Sequence, residues 1–353
     1  MAKPFRVIDT GIDDGRRNIA FDQALIDARA AGEVPDTVRF LQFRPTALVG
    51  RHQALSREVD LDYCAENDIG IARRITGGGS IFFDEGQLGW ELAFHRSTLG
   101  MNDLGELAGT ICEAAAGGMR KLGVDAQFRP RNDIEVDGRK ISGTGGFFDG
   151  DVLFYQGTLL IDTNPNVMAT ALRVPQAKLA KRDLDSAAAR VTTLRALLGA
   201  DTPDLDAIKK ALLDGFAEGL GLDFEPSDVS DAEKSRCEAI FTEEIGTDEF
   251  VAEIDDPEAD DDLTSASAQT PGGAMTAYVR MHRTGAPRLQ QVLITGDFFA
   301  NPPRVIFDLE ARLKDAPIDQ IDNVLSEVLD GHAMVTVPPD ALSSVIKQAA
   351  GVS

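Results

Sequence analysis

The spacing of hydrophobic residues changes along the chain, and each change marks an element. Ile19, Ala20, Leu25 and Ile26 fall on one stripe at helical spacing, which predicts a helix from Asp14 to Ala30. Val38–Phe43 and Ala47–Gly50 read as strands, paired through a turn at Arg44-Pro45-Thr46. Ile69–Arg74 is a short strand feeding three consecutive glycines, Ser80–Phe83 leaves them, and Leu88–His95 alternates as a further strand. A second helical stripe runs through Leu104, Leu107, Ile111, Met119 and Leu122, with Asn102 placed to cap it and Gly123 to end it. Ile134–Val136 and Arg139–Ser142 flank Asp137-Gly138, the strongest short-range signal for a hairpin turn. Val152–Ile161 reads as a strand and Asp204–Leu220 as an amphipathic helix.

From Gly246 to Gly273 the periodicity stops. An aspartate-rich run, Asp255 to Asp262, is followed by small and polar residues from Thr264 to Gly273, which reads as a linker or crossing segment. The acidic run lacks the alternating ligands and terminal glutamate of a calcium loop. Beyond it, Ala274–Met281, Gln291–Thr295 and Val335–Val337 read as strands, and Phe307–Leu313 and Ile318–Leu329 as helices. The expected organisation is therefore a large domain over 1–245, a linker over 246–273 and a small α+β domain over 274–353.

Composition adds three exclusions. No apolar run has the length of a membrane span, and the first residues lack the apolar stretch of a signal peptide, so a cytoplasmic location is expected, with no membrane partner. Cys64, Cys112 and Cys237 are far apart and in no metal-like spacing, as are the four histidines, which argues against zinc or a disulfide framework. With 35 basic and 58 acidic residues the net charge is −23. Such a field repels nucleic acid, so an anionic ligand needs a local cationic pocket.

Two segments supply one. In the first, Arg73-Arg74-Ile75-Thr76-Gly77-Gly78-Gly79-Ser80-Ile81-Phe82, three glycines can turn successive amides towards an anion and two arginines can clamp it. The glycines alone favour a tight turn between strands with the arginines on a solvated face; the spacing is neither a Walker A nor a Rossmann fingerprint. In the second, Lys140 follows the hairpin turn and Asn132-Asp133 opens the opposing strand, so an aspartate for Mg²⁺ and a lysine for a phosphate fall within reach of each other, although such a hairpin alone reads as solvent-exposed with a surface ion pair. Gly143-Thr144-Gly145-Gly146 suits a backbone approached by a ligand better than a sturdy strand. A third, cationic stretch from Pro175 to Arg182, leading to Arg190-Val191-Thr192, suits a lid over a polyphosphate beside the other two, whereas taken alone it reads as a solvated helix face.

In this order the elements resemble lipoate–protein ligase A, within the wider group of biotin ligases and octanoyltransferases. The resemblance rests on Ala47-Leu48-Val49-Gly50-Arg51-His52-Gln53, the Arg-Arg-x-x-Gly-Gly-Gly segment, Asn132-Asp133-Ile134, Gly138-Arg139-Lys140-Ile141-Ser142-Gly143, Gln156-Gly157-Thr158-Leu159-Leu160, Lys178 with Arg190-Val191-Thr192, and Gly296-Asp297-Phe298-Phe299. It implies an α+β fold: a large N-terminal domain with mixed sheets flanked by helices, the biotin/lipoate ligase-like catalytic fold, plus the small C-terminal domain. It implies a ligase that joins lipoate or octanoate to AMP from Mg²⁺·ATP and passes the acyl group to a lysine. The acceptor implied is a lipoyl-domain or glycine-cleavage-H-like lipoate-binding protein.

By the same resemblance Lys140 is catalytic and Asp133 holds the metal. Arg74, Thr76, Gly77, Gly78, Gly79, Ser80, Ile81, Phe82, Asn132, Asp133, Gly143, Gln156, Gly157, Thr158 and Lys178 bind ATP or lipoate. The chain departs from the family in having Phe83 and Gln156 where histidines are common, which touches the acyl pocket. Two rival readings stand beside the ligase. One is an octanoyl or lipoyl transferase that works from an acyl carrier without ATP, through a cysteine nucleophile. The other is a non-catalytic lipoate or nucleotide binder.

Overall fold

The computed structural model describes residues 3–101, 103–130, 132–173, 189–270, 273–330, 333–334 and 337–352. The chain forms two compact units. The first takes Met1–Leu48, Asp60–Ala72 and Ile81–Phe250, and the second Val49–Val59, Arg73–Ser80 and Val251–Ser353.

The strands of the first unit are β1 (Lys3–Asp13), β2 (Thr37–Phe43), β3 (Thr46–Val49), β4 (Gly70–Arg73), β5 (Ile81–Phe83), β6 (Gln87–His95), β7 (Gln127–Arg129), β8 (Asp133–Val136), β9 (Arg139–Asp149), β10 (Val152–Leu160) and β11 (Leu222–Pro226). Its main helices are α1 (Gly15–Ala30), α2 (Leu104–Lys121), α3 (Leu205–Leu220) and α4 (Asp231–Ile240). Eight strands form one mixed sheet in the order β11-β1-β2-β6-β10-β9-β8-β7. β1 runs parallel to β2 and β11, because helices connect these strands, while β2, β6, β10, β9, β8 and β7 pair antiparallel.

Alternation along the strands gives this sheet two unlike faces. Val38, Phe40, Leu88, Trp90, Leu92, Phe94, Leu153, Tyr155 and Leu159 join Leu107, Ile111 and Met119 of α2 and Ile208, Leu212 and Phe216 of α3 in one apolar core. On the other face Arg39, Glu91, Gln156 and Gly145 form a single cross-strand row. α1 closes over this row. Asp22 and Glu91 accept from Arg39 at 2.7 and 3.0 Å, Asn18 accepts at 2.7 Å, and the guanidinium lies 4.4 Å from the Phe21 ring. Burial pushes both carboxyls above the usual range. Asp14 caps α1 through the amides of Arg16 and Arg17, and α4 carries a Ser230–Glu233 capping box whose glutamate also takes Arg6.

Three expectations need correction. β2 and β3 do not pair: β2 lies between β1 and β6, while β3 lies between β4 and β5 in a separate sheet. Pro45 redirects the chain between them, and the Thr46 hydroxyl donates to the Arg44 carbonyl at 2.8 Å. β9 continues through the glycines to Asp149, because β10 supplies a full ladder and Tyr155 packs where a Gly146 side chain would stand. The break in periodicity after Gly246 is not a break in structure: Asp248–Val251 is helical and Thr264–Thr270 is a strand. Asn102, the residues 174–188 with Lys178, and Val335 and Thr336 lie outside the described residues; Asp103 caps α2.

In the second unit β12 (Thr264–Thr270), β13 (Gly273–Met281) and β14 (Leu289–Gly296) form an antiparallel sheet. α5 (Val305–Leu313) and α7 (Pro339–Ala349) lay Ile306, Leu309, Leu342 and Ile346 against Met275, Ala277, Val279 and Ile294, and α6 (Ile321–Leu329) adds Ile321 and Leu325. Among the described residues no helix is long and apolar enough to cross a membrane.

Glu310 on α5 accepts the Ile294 amide at 2.7 Å, and burial pushes its carboxyl up from 4.5 to about 8. The folded chain thus keeps a proton that the unfolded chain releases, so this group's contribution is complete below the unfolded pKa and is lost as pH rises through the folded one. Stability towards urea is therefore expected to decline between about pH 5 and 8, and Glu310→Gln, which stays neutral, is expected to flatten that decline. An identical slope in both proteins would exclude Glu310 as its source.

Candidate active site

The β8–β9 hairpin places most of the chemistry. Asp137 and Gly138 both take positive φ, 52° and 72°, as a two-residue turn matched to strand twist requires. The ladder pairs Val136 with Arg139, Glu135 with Lys140, Ile134 with Ser142 and Asp133 with Gly143, so one extra residue is inserted beside Ile134. This bulge resets the alternation, and Lys140 and Gly143 emerge on the same face. The Lys140 ammonium reaches Asp133 Oδ1 at 2.7 Å, with the two side chains 36% and 24% exposed. It does so across Gly143, where any Cβ would stand 2.6 Å from the ammonium nitrogen. Gly143 is the space in which the cation sits.

The backbone around this pair is held on both sides. Lys140 donates its amide to the Arg190 carbonyl and accepts from the Thr192 amide, each at 2.8 Å. The Gly143 amide donates to Thr158 Oγ1 at 3.1 Å. Asn132 Nδ2 donates to the Thr144 carbonyl at 3.0 Å, and the Thr144 amide returns a bond to the Asn132 carbonyl at 2.8 Å. Lys140, Asp133, Asn132, Gly143 and Thr158 are thus brought together. Gln156 lies in the adjacent row beside Glu91, and Gly157 packs the opposite face, where a Cβ would meet the Trp90 ring at 2.1 Å. Ile81 and Phe82 pair with Leu48 and Ala47, and Phe83 stacks on Phe43 at 4.4 Å.

The glycine segment belongs to the second unit and differs from the expected clamp. Arg73 is fully buried and donates to the carbonyls of Gly50, Gln53, Val251 and Ile254 at 2.7 to 3.1 Å. Arg74 is buried too; it donates to Thr76 Oγ1 at 3.3 Å and to the carbonyls of Gly77 and Gly79 at 3.1 and 2.8 Å. Burial lowers both guanidiniums to about 10, so both remain cationic near neutrality. Their hydrogen bonds brace the loop from within. Gly78, at φ 88°, donates its amide to the Phe298 carbonyl at 2.9 Å and lies under the Phe299 ring, and Gly77 leaves room for that same carbonyl. The Gly78 amide is therefore committed to the protein. Ser80 Oγ donates to Glu58 Oε2 at 3.4 Å, and burial with Asp297 nearby pushes the Glu58 carboxyl up to about 7.

The donor set fits an anion at Lys140 and one metal-binding carboxylate at Asp133. Among the described residues no cluster of three His, Cys, Asp or Glu could cage a metal. A magnesium ion carried mainly by phosphates and water needs only one or two such carboxylates. All three cysteines are buried, and burial pushes each thiol up, Cys64 to about 11. Sequence spacing had no signal for Thr144 and Tyr155, which lie directly behind Asn132.

This architecture is the biotin/lipoate ligase-like catalytic fold. Residues 14–217 match the lipoyl protein ligase A/B catalytic domain, and the chain belongs to that family. It is 28% identical over 245 residues to the lipoate-protein ligase A subunit 1 of Thermoplasma acidophilum, covering 67% of this chain and 91% of that one. It is also 28% identical over 261 residues to the octanoyltransferase LipM of Kyrpidia tusciae, covering 67% and 94%. The solved bipartite lipoate protein ligase of T. acidophilum, described with its E2 lipoyl domain, superposes with a TM-score of 0.64 at 25% identity, covering 71% and 97%. A lipoate-protein ligase A bound with ATP gives 0.61 at 25%, covering 72% and 100%. P. falciparum LipL1 in complex with lipoate gives 0.73 over 98% of this chain and 99% of its own, at 15% identity, a likeness of fold.

The two site glycines separate by what they face. Gly143→Ala meets the movable end of Lys140 and is expected to leave the melting temperature within a degree or two while displacing the ammonium. Gly157→Ala meets a buried indole and is expected to cost about 1–3 kcal/mol. Thermal and urea melts of both variants check this; equal destabilisation would refute the assignment.

Proposed function

We propose that this chain is an ATP-dependent lipoate–protein ligase, acting on lipoate or octanoate. The observation that carries the reading is the Lys140 ammonium, held by Asp133 over Gly143 on a backbone fixed from both sides. A substrate carboxylate and an α-phosphate repel each other, and a fixed cation between them offsets that repulsion as charge develops. In the first step a carboxylate oxygen of the acyl substrate bonds to the α-phosphorus of ATP, and the bond to pyrophosphate breaks. In the second, the ε-amine of an acceptor lysine attacks the acyl carbonyl, AMP leaves, and the amine gives up a proton. Lys140 would exchange part of its contact with Asp133 for the substrate anions, leaving that carboxylate for Mg²⁺. Bound there, the ion would neutralise phosphate charge.

The other site residues enter this reading through the family. By that resemblance ATP or lipoate binding would fall to Asn132, Gly143, Gln156, Gly157 and Thr158, and likewise to Arg74, Thr76, Gly77, Gly78, Gly79, Ser80, Ile81 and Phe82, and to Lys178, which lies outside the described residues. Arg74 would serve by shaping its loop, since its donors meet Thr76, Gly77 and Gly79. The acceptor would be a lipoyl domain, as in the T. acidophilum system, or an H-protein-like carrier. The LipM relatives keep a transferase in view. Against it stand the cysteines, since a nucleophilic thiolate wants a cationic, accessible setting and these three are buried with raised pKa values.

Lys140→Ala is expected to lower lipoate-dependent pyrophosphate release by roughly 10²-fold or more. It should leave the fold intact, because a partly exposed ion pair is worth about 0–1 kcal/mol. Cys112→Ser should retain release. Unchanged release in Lys140→Ala would overturn the reading, as would acyl transfer from an acyl carrier that ignores ATP and dies with Cys112→Ser.

A further inference from the structure

Behind the hairpin, on the face packed by α2, three polar side chains from three elements form a closed cluster. Cys112 of α2, Thr144 of β9 and Tyr155 of β10 are 0%, 6% and 2% exposed. Thr144 Oγ1 lies 2.7 Å from Tyr155 Oη, and Cys112 Sγ lies 3.3 Å from each oxygen. Thr144 Oγ1 also donates to the Asn132 carbonyl at 3.0 Å, beside the bond from its own amide.

Counting protons orders this cluster. A hydroxyl has one proton, and Thr144 gives its own to the Asn132 carbonyl. The short contact to Tyr155 is then made by the phenolic proton. With both hydroxyl protons committed, the thiol proton of Cys112 is left to donate into this pair of oxygens, each 3.3 Å away. The donors run from Tyr155 through Thr144 to the backbone of Asn132, with Cys112 donating into the pair from behind, each member polarising the next. Its end point matters because Asn132 precedes Asp133, the residue that holds Lys140.

We propose that Tyr155 and Thr144, with Cys112 as terminal donor, are positioning residues that fix the Asn132-Asp133 step and thereby the Lys140 ammonium. This rests on the assignment of Lys140 above. The ion pair itself is too exposed to hold a strand end in place, whereas Asn132 carries three hydrogen bonds to Thr144, one of them from the buried hydroxyl. It also gives Cys112 work that needs the thiol protonated rather than a nucleophilic thiolate.

The test compares Tyr155→Phe and Thr144→Val with the conservative variants Thr144→Ser and Cys112→Ser, in the full chain and well below each melting temperature. Tyr155→Phe and Thr144→Val should lower kcat for pyrophosphate release about tenfold with little change in KM for lipoate, and Thr144→Ser and Cys112→Ser should stay near wild type. Lowered melting temperatures with wild-type kcat in Tyr155→Phe and Thr144→Val, while Lys140→Ala is inactive, would overturn the positioning role and leave the ligase reading standing. Active Lys140→Ala would remove both. For variants that do not fold, the wild-type protein gives a second readout. The infrared S–H stretch of Cys112, isolated by difference against Cys112→Ser, should lie below that of a free aliphatic thiol; an unshifted band would overturn the donor order.

Discussion

The site depends on one inserted residue in the β8–β9 ladder. Without the bulge beside Ile134, strict alternation would send Lys140 and Gly143 to opposite faces, and the ammonium could not lie across the glycine to reach Asp133. The type of turn, the missing Cβ at Gly143 and the bonds to Arg190 and Thr192 all act on that single geometry. A cation held this way is only lightly paired, so it can be shared with a substrate anion at small cost to the fold. That combination of fixed backbone and modest ion pair is what the proposed adenylating role of Lys140 requires.

The other cations have a different physical task. Arg39, Arg73 and Arg74 are buried and spend their donors on carboxylates or carbonyls inside the protein. In a chain of net charge −23, a guanidinium in the interior offsets acidic groups and ties irregular backbone, since its planar fork satisfies several acceptors at once. Arg73 joins five carbonyls from 50, 51, 53, 251 and 254, and so draws residues distant in sequence into the second unit. The glycine loop accordingly belongs with the C-terminal residues in one compact unit, and two of its glycines are spaces filled by Phe298 and Phe299.

The departures from the family pattern have a packing counterpart. Phe83 stacks on Phe43, and Gln156 stands beside Glu91 in a row anchored by Arg39 and covered by Asn18 and Asp22 of α1. Arg39, Glu91 and Gln156 form a coupled set, because a carboxylate buried between a guanidinium and a carboxamide restricts how each can turn. Side-chain chemistry here is decided across three strands and a helix.

By itself the sequence determined most helices and strands, the Asp137-Gly138 hairpin, and the reach from Asp133 to Lys140. These are local: periodicity, capping residues and a two-residue turn act within a few positions of one another. The order of motifs carried the family as well. Tertiary structure alone decided that β2 and β3 part company, that β9 runs through its glycines, and that Thr264–Thr270 is a strand. It also decided that Arg73 and Arg74 brace backbone, and that Cys112, Tyr155 and Thr144 meet behind Asn132. In each case the partner comes from elsewhere in the chain, and the free energy of a ladder or a buried hydrogen bond depends on that partner rather than on local preference.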